Sequence, residues 1–140
     1  MKEGSWEECV ENNTALEVTP DIGRARSLVE TAKERVNVIK ELNERNCNFV
    51  FEYHYTSLLE LLQALVILKG FKVLNHVCLG FYLRDVLKRE ELYIIYDDLR
   101  YKRNTLVYYG KRMDFETCKE AIEKCKFIIG EIEKLLNFNK

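Results

Sequence analysis

Apolar residues recur at spacings of three and four along most of this chain, a pattern that predicts helices rather than strands. Ile22, Ala25, Val29, Ala32, Val36 and Ile39 make one apolar stripe, with Glu, Lys and Arg on the other side. Thr19 as N-cap, Pro20 in the first helical position and Asp21 behind it should open this helix, which is expected to end near Asn46. From Asn48 to Lys69 the pattern stops being one-sided. Leu58, Leu59, Leu61, Leu62, Ala64, Leu65, Val66, Ile67 and Leu68 cover nearly every face, which predicts a central, most buried helix, with Gly70 placed to end it in the left-handed conformation. A helix from about Lys72 to Leu87 is expected after almost no linker, packed on the central one as an antiparallel hairpin. Another spans about Glu90 to Tyr109 and stops at Gly110. The last is capped by Asp114 and runs to about Leu136, with Ala121, Ile122, Cys125, Ile128, Ile129, Ile132 and Leu135 as its buried face. Residues 1–18 read as an arm or a short helix, and 19–140 as the domain proper. The expectation is an all-α, up-and-down bundle of about five helices.

Composition agrees with that picture. At 140 residues and 16.6 kDa, with 47% apolar residues, the chain is one domain able to bury a core. Six Gly and one Pro leave little punctuation for a sandwich or barrel of short strands. Five Cys, at 9, 47, 78, 118 and 125, form no CxxC pair and are odd in number, which indicates neither a disulfide framework nor a zinc site and favours reduced, buried thiols. The first residues lack a signal-peptide apolar region, and the richest apolar run is short and broken by Glu60 and Gln63, so a cytoplasmic protein without a membrane span is expected. There is no Gly-rich phosphate loop, no GxSxG elbow and no HxxxH or ExxH metal pattern. No cofactor and no metal are therefore expected.

The helix from Glu90 to Tyr109 carries the chemistry. Leu92, Tyr96, Leu99, Leu106 and Val107 all fall within about 60° of Arg103 on a helical wheel, so an arginine stands in an apolar stripe. A guanidinium keeps its proton and is costly to desolvate without a partner. Two readings follow: a structural ion pair with Asp97, Asp98 or a carboxylate of another helix, or a site for a phosphate, whose oxygens match the guanidinium fork. The formal net charge is −1, yet Arg100, Lys102, Arg103, Lys111 and Arg112 crowd one stretch, interleaved with Tyr93, Tyr96, Tyr101, Tyr108 and Tyr109. That crowd reads either as a solvated helix end or as a nucleic-acid-facing patch with stacking rings.

The order and lengths of these helices, the Asn75-His76 pair and the run Arg103-Asn104-Thr105-Leu106-Val107-Tyr108 together resemble the HEPN superfamily of small helical domains. The likeness spans roughly residues 20 to 136. It rests most on the family's motif of Arg, often followed by Asn, with a His several residues on. Tyr108 stands where that His would be, as in a Tyr-bearing archaeal variant of the motif. The resemblance implies a symmetric homodimer with a cleft around the two motif arginines. It also implies a role in a toxin-antitoxin pair with a minimal nucleotidyltransferase partner, with RNA or a nucleotide as ligand. Carried over residue by residue, Arg103, Asn104 and Tyr108 would be catalytic, and Arg100, Lys102, Tyr109, Lys111 and Asp97 would bind the ligand.

Metal-independent RNA cleavage needs a base for the 2′-hydroxyl, an acid for the leaving oxygen and positive charge at phosphorus. Arg103 supplies only the last. An unperturbed tyrosine, near pKa ~10, is a poor base at neutral pH, and losing acid-base help costs ~10²–10⁴ in rate, so ribonuclease activity through this motif is expected to be weak or absent. The two histidines lie outside the motif. His76 sits among Val73, Val77, Leu79 and Gly80 and reads as a packing histidine, while His54, between Tyr53 and Tyr55, reads either way. The rival to all of this is a non-catalytic dimeric module that binds a nucleotide or a partner protein.

Overall fold

A computed structural model describes residues 3–136. It is an all-α bundle. Among the described residues there are six α-helices: α1 (Trp6–Glu11), α2 (Ile22–Asn37), α3 (Cys47–Leu68), α4 (His76–Phe81), α5 (Glu90–Tyr109) and α6 (Phe115–Leu136). A π-helical turn, Tyr82–Val86, extends α4. Two three-residue strands, β1 (Ala15–Glu17) and β2 (Phe71–Val73), pair antiparallel with Ala15 opposite Val73. The central position of α3 follows from its all-round apolar surface: it packs chiefly on α2 and α6 and buries Phe51, Tyr55, Leu58, Leu61, Leu62 and Leu65. No helix among the described residues is long and apolar enough to cross a membrane.

Several boundaries follow the sequence. Gly70 (φ 86°) and Gly110 (φ 63°) take the left-handed conformation just past α3 and α5, and the Asp114 carboxylate accepts a hydrogen bond from the Thr117 amide at 2.8 Å. Others need correction. The first long helix is capped by Asp21, which accepts from the Arg24 amide at 3.0 Å, so Thr19 and Pro20 stay outside it. It ends at Asn37, not near Asn46, because the Asn43 and Asn46 side chains bond each other's backbone amides and fold residues 43–46 into their own turn. On α6, Leu135 is exposed and Leu136 is buried in its place.

The hairpin expected across Gly70, of the central helix and one starting near Lys72, is also replaced. Phe71–Val73 forms β2, held by hydrogen bonds to a segment more than fifty residues earlier, and α4 starts only after Asn75 caps it by accepting from the Cys78 amide at 2.8 Å. That same pairing brings α1 onto α4 and overturns the expectation of five reduced thiols. Cys9 and Cys78 form a disulfide with Cα atoms 6.1 Å apart, while Cys47, Cys118 and Cys125 are free and buried. Burial pushes the thiols of Cys118 and Cys125 up to about 12, so both are inert at neutral pH.

Candidate functional site

The residue pattern of α5 divides the helix in two. Leu92, Tyr96 and Leu99 are fully buried, but Leu106 is only half-buried and Val107 is 42% exposed, so the apolar stripe leaves the core one turn before Arg103. Arg103 is therefore half-buried, at the edge of the core rather than inside it. Its guanidinium donates to the amide oxygen of its neighbour Asn104 at 3.4 Å and lies 5.7 Å from the ring centre of Tyr108 and 5.9 Å from that of Tyr55. Among the described residues no carboxylate pairs with it. Asp97 is taken by Arg100 at 2.9 Å and Asp98 by Lys102. The ion pair expected from the stripe is thus absent among those residues.

Arg103 opens into a cleft of about 330 Å³ between α5 and the start of α4, lined by Leu74, Asn75, His76, Val77, Arg100, Arg103, Asn104 and Tyr108. On the α5 side, Arg100, Arg103 and Asn104 share a face by their spacing of three and four, and Tyr108 follows one turn on. On the α4 side, the Asn75 cap and the Cys9–Cys78 disulfide fix the first turn. The Leu74 amide donates to the Thr14 carbonyl at 2.9 Å, which ties the approach to α4 to the arm. The two helices come close because Gly80 has no side chain: a Cβ there would lie 3.0 Å from the Tyr96 ring.

His76 belongs to this cleft, although its apolar neighbours in sequence suggest packing. Its Nδ1 lies 3.3 Å from the Tyr55 hydroxyl, and its carbonyl accepts from the Tyr96 hydroxyl at 2.8 Å. Burial, and next the charges of Arg103 and Arg100, hold its pKa below the usual histidine value, so the ring is neutral at pH 7. The phenol of Tyr55 is pushed up to about 12, chiefly by burial, and stays protonated. His54, by contrast, is a packing residue: it is 6% exposed, and its Nδ1 bonds the Val50 carbonyl at 2.9 Å.

The remaining candidates do not join. Lys102 and Lys111 face a second cavity of about 320 Å³ with Tyr101, Arg112 and Asp114. Tyr109 is 81% exposed, and Asp97 pairs with Arg100 and does not line the cleft. Among the described residues one metal-like cluster occurs, Glu3 with Cys9 and Cys78, but both sulfurs are in the disulfide and offer no thiolate. What the fold and the cleft define is a helical bundle with a cationic, aromatic-rimmed groove that holds a neutral imidazole. The chain matches no known family model, no curated protein and no solved structure.

Proposed function

We propose that this chain is a HEPN-like module that binds the phosphate of RNA or of a nucleotide in the Arg100–Arg103–Asn104–Tyr108 cleft, as a homodimer. Its partner would be a minimal nucleotidyltransferase in a toxin-antitoxin-type pair. The observation that carries the reading is Arg103: a half-buried guanidinium that pairs with no carboxylate among the described residues, beside a second guanidinium, an amide and a phenol ring. Such a site is short of negative charge, and a phosphate satisfies it with charge-assisted hydrogen bonds. Tyr108 can stack on a base. For the dimer, Ile94, Tyr101 and Tyr108 stand seven residues apart on α5, are 60–68% exposed, and make a strip that a second copy could cover, with Tyr108 also lining the cleft.

Titration of ADP and of a short single-stranded RNA, read by calorimetry with the oligomeric state followed by light scattering, tests this. Wild type should bind as a dimer, and Arg103→Ala should lose about 10–100-fold in affinity, as expected for charged hydrogen bonds worth ~1.5–3 kcal/mol. The rival module predicts the reverse. If Arg103 served only to lock two copies together through a partner carboxylate, Arg103→Ala would dissociate the dimer and leave any anion affinity unchanged.

A further inference from the structure

Tyr96 donates its hydroxyl proton to the His76 carbonyl at 2.8 Å, and the Tyr55 hydroxyl lies 3.3 Å from Nδ1 of His76. With Nδ1–H donating to the Tyr55 oxygen, the ring is held on that side and Nε2 is left as a bare lone pair. Nε2 has no partner among the described residues, and no polar side-chain atom there is both buried and unsatisfied. Nε2 therefore meets solvent, at the cleft that His76 lines together with Arg103 and Asn104.

We propose that His76 is the proton acceptor of this cleft, acting on the 2′-hydroxyl of an RNA phosphodiester held by Arg103. The proposal rests on the phosphate-binding reading above and adds a base from α4 that the α5 motif lacks. Nε2 takes the 2′-hydroxyl proton, the 2′-oxygen bonds to phosphorus, and the P–O5′ bond breaks. The departing 5′-oxygen takes a proton from water, His76 later returns its own to solvent, and a 2′,3′-cyclic phosphate remains. No metal or external oxidant enters the balance. The groups facing the imidazole are Arg100, Arg103, Asn104 and Tyr108 from the C-terminal half of α5, Tyr96 from its buried half, and Tyr55 from α3. None is a carboxylate, so proton loss is favoured before the substrate arrives.

The test uses the full chain, in EDTA, with a labelled single-stranded RNA and the same strand in 2′-deoxy form, which binds but has no hydroxyl to attack. Wild type is expected to bind both, to cleave only the RNA, and to leave cyclic phosphate ends. Its rate should rise with pH while His76 deprotonates and then level off. His76→Gln should lose ~10²–10⁴ in rate and that rising limb, with deoxy-strand affinity changed only a few-fold. Tyr55→Phe, which spares the imidazole but removes the acceptor that fixes its tautomer, should slow cleavage and keep binding. It carries the test if His76→Gln fails to fold. Binding of the deoxy strand with no cleavage of RNA by wild type overturns the role of His76 and leaves the binding reading standing, as does a His76→Gln variant as fast as wild type. Failure to bind either strand overturns both.

Discussion

Arg84 and Arg103 occupy the same kind of place with opposite results. Each is half-buried on a helix, and each lies within reach of two aromatic rings: Phe81 and Tyr93 at 4.5 and 5.0 Å for Arg84, Tyr108 and Tyr55 at 5.7 and 5.9 Å for Arg103. Each is followed by a residue that reaches back to it. For Arg84 that residue is Asp85, whose carboxylate accepts at 2.7 Å; for Arg103 it is Asn104, whose amide oxygen sits at 3.4 Å. One atom type separates a closed pair from an open cation. Arg84 also donates to the Gly4 carbonyl and Asp85 accepts from the Trp6 amide, so the closed pair ties the arm to the bundle. The open one faces a cleft. An aromatic setting alone does not tell a paired arginine from an open one; the neighbouring acceptor does.

The comparison can be broken from either side. The largest expected effect is on binding. Asn104→Asp gives Arg103 the partner that Arg84 has, and should cost at least ~10-fold in affinity for RNA or ADP through like-charge repulsion and a pre-satisfied guanidinium, measured by calorimetry. Asp85→Asn makes the converse change. It should leave that affinity intact and lower stability by about 1–2 kcal/mol, since the pair is partly solvated and two hydrogen bonds to the arm weaken with it. Denaturant unfolding of both variants checks that the two costs fall in different assays. Salt sharpens the contrast: RNA affinity should fall linearly on a log–log plot, and Arg103→Ala should flatten the slope by ~0.7 for each phosphate that is no longer neutralised.

The smallest effect is in pH. His54 and His76 both have pKa values held below the usual histidine value, mainly by burial, so in mildly acidic solution the unfolded chain binds more protons than the folded one. Stability should accordingly be full above the unfolded value of ~6.5 and decline as pH falls through it towards the folded values. Thermal unfolding at pH 7.5 and 5.5 should show a lower midpoint in acid, and His54→Gln should reduce the difference.

How much of this the chain announces depends on distance along it. The bounds of α3, α5 and α6 are written in local period and caps, and Arg103, Asn104, Arg100 and Tyr108 meet because one helix carries them all at spacings of three and four. The other wall of the cleft is not local. His76 faces Arg103 only because β2 pairs with β1, the Cys9–Cys78 link holds the arm against α4, and Asn75 rather than Lys72 starts the helix. In sequence His76 is flanked by Val77 and Leu79, the signature of packing, and no period marks a residue whose partners lie some twenty positions away on two other helices. The one local hint is the Asn75-His76 pair itself, a cap followed by a titratable ring.

Gly80 gives the cleft a property of a different kind. The gap between imidazole and guanidinium is set where no atom of either residue lies, by a methyl group that is missing from α4 against the Tyr96 ring. An alanine at that point would act as a wedge, prising the two walls apart at their base while every lining residue kept its identity. The reach of the cleft is thus a mechanical dimension of the bundle, inherited from a crossing of two helices, and it can drift without a single change among the residues that line it.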